Sequence, residues 1–135
     1  MSATLLAAIN DAWNGNAALA STVTLFNDEP PEGTAFPYAV ITQFREDNHR
    51  DCFEGGRNYD GRCTIEFRAI GTAITEGYLT QAKTVLETDG ALAIDNHGIL
   101  DTRIERSAVE LDKTRSTDAR RVTNGSLDLF VWSHG

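Results

Sequence analysis

The residues able to do chemistry are few and scattered. Three histidines, His49, His97 and His134, are spread over 135 residues, and His134 stands beside the last position. Asp47, His49, Asp51 and Cys52 fall close enough together for alternating side chains to touch a metal ion. One cysteine with two carboxylates and one imidazole is a poor match to the common zinc and transition-metal donor sets. Exposed loops are ordinarily polar, so a solvated loop is the expected reading. Asp89, Asp95 and His97 flank a turn and suggest acid–base work, but no nucleophile lies near them in the sequence. Capping and turn chemistry accounts for them better. The only cysteines, Cys52 and Cys63, are eleven positions apart with no CxxC spacing, which gives neither a disulfide framework nor a closed zinc site. GxSxG, HExxH, the phosphate-binding loop and a strand-to-helix GxGxxG are all missing from the chain, and each of those chemistries needs its residues at that spacing. The expectation is a protein that is not an enzyme, with no catalytic residue, no metal and no cofactor.

The elements that would carry these side chains can be read from periodicity. Leu5, Ile9, Ala12 and Trp13 recur at helical spacing, which predicts a helix over about Thr4–Asn14. Ser2 or Thr4 would cap it and Gly15 would end it in a left-handed turn. Asn16–Ala20 can add one helical turn, and Val23–Phe26 a short strand. Residues 27–37, with Pro30, Pro31, Gly33 and Pro37, read as a loop. Tyr38–Arg45 reads as a strand with Ala39, Ile41 and Gln43 on one side. Residues 46–59 are polar and read as a long exposed connection. Asp60–Ile70 alternates most cleanly: Cys63, Ile65, Phe67 and Ala69 against Arg62, Thr64, Glu66 and Arg68. That pattern is a strand with one face buried and one wet. A helix over about Thr72–Thr88 would present Ile74, Tyr78, Ala82, Val85 and Leu86 inward, with Gly90 as its stop. Ile99–Leu111 and Arg121–Trp132 form a long hairpin, polar in its distal half. Leu127–Trp132 is apolar on both faces and belongs mid-sheet, with Phe130 and Trp132 expected in the core.

The predicted fold class is α+β, a single domain over 1–135. It has a four- to five-stranded, mainly antiparallel sheet, two helices packed on one face and a long C-terminal β-hairpin. Apolar residues make up 41% of the chain and charged residues 24%, ordinary values for a globular domain. Twenty acidic against twelve basic residues leave a net charge of −8, which repels DNA and anionic membranes alike. Neither nucleic-acid-specific nor membrane binding is expected. The segment before Ile9 lacks the basic stretch of a secretory signal, and no apolar run approaches membrane-spanning length. The expectation is a soluble protein made in a reducing cytoplasm. Residues 1–98 hold 14 acidic and 6 basic residues and so carry the whole net charge, whereas 99–135 hold 6 of each. Ten of the twelve basic residues are arginine. Arginine is enriched at protein interfaces, although an arginine-rich codon bias would give the same count.

Four stretches carry a family likeness: Asn16–Ala20 after the first helix; Glu32–Ile41 with its Phe36-Pro37-Tyr38; the Arg62–Ala69 strand followed at once by the Gly71–Leu86 helix; and the terminal Leu127–Trp132 strand. In this order the chain resembles the tail-completion, or tail-terminator, proteins of long-tailed bacteriophages and of related prophage and gene-transfer particles. The resemblance implies a virion protein of the tail or neck, made in the bacterial host cytoplasm. Such a protein self-assembles into a ring, typically a hexamer, and can be a monomer until its template is present. Its implied partners are its own copies, the tail tube protein and the head connector or stopper protein. It would stop tube growth at the head-proximal end and offer the head–tail joining surface. Separately from the resemblance, the arginines of the hairpin are the expected contacts to a neighbouring subunit or tube: Arg103, Arg106, Arg115, Arg120 and Arg121. The alternatives are a head-closure or adaptor protein of the neck and, from another class, a small ligand-binding or hydrolase domain.

Overall fold

The computed structural model describes residues 5–31, 33–50, 57–87, 92, 98–113, 116 and 121–134. The chain runs α1 (Leu5–Gly15), α2 (Ala17–Ala20), β1 (Thr24–Phe26), β2 (Tyr38–Arg50), β3 (Arg57–Ile70), α3 (Thr72–Glu87), β4 (Gly98–Leu111) and β5 (Val122–His134). The strands form one five-stranded sheet in the order β1-β2-β3-β5-β4. β1 pairs with β2 in parallel and the remaining pairs are antiparallel. The architecture is therefore the expected α+β fold, and β5 does lie inside the sheet, between β3 and β4.

Both longer helices cover the same sheet face. Ala39, Ile41, Cys63, Ile65, Phe67, Leu127, Leu129 and Val131 point into one apolar cluster with Leu5, Ile9 and Trp13 of α1 and Leu79, Ala82 and Leu86 of α3. Trp13 is fully buried, its ring 5.6 Å from that of Phe67. Its indole Nε1 donates to the Val23 carbonyl at 2.9 Å, so this large ring hides no unsatisfied donor. Two glycines on the inner face let the helices come close. The side chain of Leu5 occupies the place where a Gly61 Cβ would stand. A Cβ on Gly125 would meet Thr75 Cγ2 at 2.9 Å and Leu79 Cδ1 at 3.1 Å. Gly71, at φ 99°, makes the sharp turn from β3 into α3.

Several details depart from the sequence reading, each for a physical reason. The expected caps Ser2 and Thr4, and the stop at Gly90, lie outside the described residues. Gly15 takes no left-handed turn; among the described residues the positive-φ glycines are Gly33 and Gly71. Asn16 instead caps α2, its Oδ1 accepting the Leu19 amide at 3.0 Å. The buried stripe of α3 is Thr75, Leu79, Ala82 and Leu86, while Ile74 is 55% exposed. Thr75 can sit inward because its Oγ1 donates to the Gly71 carbonyl at 2.8 Å and its methyl meets Gly125. Residues 46–59 are not one loop. β2 continues to Arg50 and β3 begins at Arg57, with Asp47 opposite Asp60 and Arg50 opposite Arg57. Gln43 does not share the inward side of Ala39 and Ile41, because the register shifts between Thr42 and Phe44. It is an exposed bulge residue at φ 25°, a left-handed conformation that costs a side-chain-bearing residue about 1 kcal/mol.

The Gly125 contact gives a direct test of this packing. Gly125→Val should force α3 off the sheet and lower unfolding free energy by about 1–3 kcal/mol, the usual cost of overpacking. Urea denaturation followed by far-UV circular dichroism measures it.

Candidate interaction surface

With one sheet face spent on the helices, the other carries the candidate interaction residues. Its rows follow from strand register. Arg45 of β2 lies opposite Arg62 of β3, Arg62 opposite Phe130 of β5, and Phe130 opposite Arg103 of β4. Three arginines and one aromatic ring thus form a row across four strands. The ring joins two of them: the Arg62 guanidinium lies 4.7 Å and that of Arg103 5.1 Å from the Phe130 centroid. Stacking on the negative face of an aromatic ring is worth about 0.5–1 kcal/mol per cation at an exposed site. It also shields the ring, which explains how Phe130 is only 6% exposed on a face without helices. Glu105, the extra residue where β4 slips register between Ile104 and Arg106, pairs with Arg62 at 3.3 Å. Both partners are largely exposed, so the pair orients more than it stabilises.

In the next row Arg106 faces Asp128, and Asp128 Oδ1 accepts from Thr64 Oγ1 at 2.9 Å. On the other side of the arginine row stands Trp132, 41% exposed rather than in the core as its apolar surroundings in the sequence suggested. Alternation decides it: Leu127, Leu129 and Val131 take the inward positions of β5 and leave Asp128, Phe130 and Trp132 outward. Around Tyr38 and Arg68 this face is covered by the loop after β1. Phe36 stacks on Tyr38 with centroids 5.6 Å apart, and Phe26 meets Tyr38 edge-on at 5.9 Å. Glu29 of that loop reaches the buried Arg68 at 3.2 Å, which also has Glu66 at 3.6 Å.

Of the five arginines expected at an interface, Arg103 and Arg106 are exposed on the edge strand β4, in the rows just described. Arg121 is exposed immediately before β5, where its carbonyl accepts the Gly71 amide at 3.3 Å. Arg115 and Arg120 lie outside the described residues. The sequence reading missed Arg45, Arg62 and Phe130 as neighbours of Arg103, because strand order and register, not spacing along the chain, bring them together. The edge itself is partly guarded. The Ile104 amide donates to Glu87 Oε1 at the end of α3, at 2.9 Å, which occupies one edge donor that could pair with another strand.

A cavity of about 350 Å³ opens beside the arginine row, lined in part by Arg45, Arg62, Cys63, Glu105 and Asp128. Cys63 is the thiol there, and burial, followed by the Asp128 carboxylate, pushes it up to about 12. A thiol so held stays protonated at neutral pH and is a weak nucleophile. Among the described residues no group of three or more His, Cys, Asp or Glu is placed to hold a metal ion. The expected loop cluster of Asp47, His49, Asp51 and Cys52 lies only partly within them: Asp47 and His49 are β2 residues, and Asp51 and Cys52 are not described. Asp89, Asp95 and His97 also lie outside them. No helix of the described chain is long and apolar enough to cross a membrane.

No family model matches the sequence. No curated protein matches it either. In fold the chain is similar to a chain of a solved structure described as the virion of a native gene transfer agent particle. The TM-score is 0.69 at 18% identity, over 97% of this chain and 95% of that one.

Cys63 supplies a pH test. The thiol keeps its proton to about 12 in the folded chain but loses it near the ordinary 9.0 when unfolded. The folded state therefore binds more protons between those values, and stability is lost as pH rises through that window. Denaturation midpoints should fall with pH between about 9 and 12 more steeply for the wild type than for Cys63→Ala, and in a Cys52→Ser background a thiol reagent should label Cys63 only after urea is added.

Proposed function

We propose that this chain is a structural component of a phage-like particle, a tail terminator that assembles as a ring on the head-proximal end of the tail tube. The single observation that carries the reading is the fold likeness over 97% of the chain to a protein of a gene transfer agent virion. The sequence stretches that resemble tail-terminator proteins point the same way. In this reading the ring is a hexamer of this chain, one axial face meeting the tube protein and the other the head connector or stopper. Its chemistry is shape and affinity, without turnover.

The shape of the sheet supports it. β3 has 14 residues and spans about 46 Å, whereas the 16 residues of α3 span about 24 Å, so the strands outrun the helical layer. Strand extensions without a helix over them bury little within one copy and gain from neighbours. Exposed apolar side chains mark both ends of the strands. Trp132 stands at the end where β5 pairs with Asp60, and Ile70 and Ile74 stand at the other. There they line a hollow of about 170 Å³ with Phe36, Pro37 and Tyr78. Two apolar spots at opposite ends suit a protein held between two partners along one axis.

The experiment is assembly of tail tubes from the tube protein of the same genome, with and without this chain. Rings on one end of the tubes and an end to elongation are the expected result by negative-stain microscopy. Unchanged tube growth with bare ends would contradict the reading, and binding to the connector alone would favour a head-closure role.

A further inference from the structure

β4 ends the sheet on one side, beside α3. At its close the Asp112 amide donates to the Val122 carbonyl at 2.8 Å, toward β5. By the alternation of an antiparallel ladder, Arg106, Ala108 and Glu110 also bond toward β5, while the backbone groups of Ser107 and Val109 point to the open edge. Along that edge a groove of about 340 Å³ lies between the two elements, with Ala108 at its middle on the strand and Leu79 and Thr80 on the helix. Helix and strand run antiparallel: Leu79 stands over Gly125, which is opposite Val109, and Glu87 reaches the Ile104 amide. Glu76 therefore lies toward Glu110, and Lys83 toward Arg106, so the edge has an acidic end and a basic end. Glu76, Arg106 and Glu110 are exposed and Lys83 is half-buried. Among the described residues none of these four is in an ion pair. Asp128, opposite Arg106, accepts from Thr64. The other charges of β4 are engaged or distant: Glu105 pairs with Arg62, Arg103 stacks on Phe130, and Asp101 is far along the strand, opposite Trp132.

We propose that a second copy of this chain docks on this edge, its β4 antiparallel to β4 of the first, about a two-fold axis at Ala108. Ser107 of each copy then exchanges both backbone hydrogen bonds with Val109 of the other. Arg106 of each lies opposite Glu110 of the other at a non-hydrogen-bonded position, where side chains stand closest. The same axis turns the acidic end of each α3 toward the basic end of its mate, Glu76 facing Lys83. The two sheets become one, with all the helices on the same face. Register decides the contact. An axis at Ser107 or Val109 sets Arg106 opposite Ala108 or Asp112 and loses both charge pairs. A two-fold contact is isologous and closed: it joins two copies and stops, unlike the contact of a ring. It therefore does not rest on the tube-end reading. It also covers an edge strand that is otherwise open to indiscriminate pairing.

Sedimentation equilibrium of the wild type, Arg106→Glu, Glu110→Arg and an equal mixture of the two variants tests the contact. The wild type should pass from monomer to dimer as concentration rises. Each variant alone sets like charges opposite each other twice and should weaken the dimer about tenfold or more. In the mixture the acidic edge of one variant meets the basic edge of the other, so dimer should return toward the wild-type level as the mixed species. Ser107→Pro removes an edge donor that β5 does not use and should also abolish the dimer. Thermal melts check folding; if Arg106→Glu unfolds beside Asp128, Ser107→Pro and Glu110→Arg carry the same logic. A wild type that stays monomeric up to about 1 mM overturns the proposal. So does a dimer that Arg106→Glu and Ser107→Pro leave intact, or a mixture without rescue. Tube capping, assayed separately, keeps the two readings apart. Capped tubes with no solution dimer overturn this contact alone, and a rescued dimer with bare tube ends upholds it while removing the tube-end role.

Discussion

The structure depends on one constraint: a sheet has two faces, and the two longer helices of this chain cover only one. Trp13, Phe67 and the leucines of α1, α3 and β5 close that face around a single core. Gly61 and Gly125 let the helices settle onto it. The outward positions are covered in other ways, and Tyr38, Val40 and Val122 are buried there without either helix. Arginines, carboxylates and threonines stand among them, and Phe130 is kept from water by two guanidinium groups in place of a helix.

That division explains the character of the outer face. Part of it is closed by the chain's own loop, through the Phe36–Tyr38 stack and the Glu29–Arg68 pair. The other part is open and lined by arginine with one tryptophan, the residue types that dominate binding energy where proteins meet. The cavity nearby is lined in part by the buried Cys63 and by Arg62, which is paired with Glu105. A surface organised in this way is suited to recognition by extended contact.

Much of the fold was legible in the sequence, because the alternation of Cys63 to Ala69 and the apolar spacing of α1 state directly which side is buried. The boundaries of β2 and β3 were not. Residues 46–50 and 57–59 pair as strands without the alternation that marks burial, and a polar strand looks like a loop. Thr75 is polar and carries no apolar signal in the sequence, yet it is buried, its hydroxyl satisfied by the Gly71 carbonyl. Trp132 was assigned to the core on composition, whereas the two-residue period of β5 puts it outside. Arg103 and Arg106 could be picked from charge alone. Their partners Arg62 and Phe130 could not, since no spacing along the chain encodes the order β3-β5-β4.

On the function proposed above, the working part of this protein is the outer face and free ends of its sheet. Hydrogen–deuterium exchange of the chain, free and bound to tube ends, reads that claim directly. The account predicts slowed exchange along β4 and β5 and the far parts of β2 and β3, with α1 and α3 unchanged where they face the core. Protection confined to the helices, or no change on mixing with tubes, would contradict it.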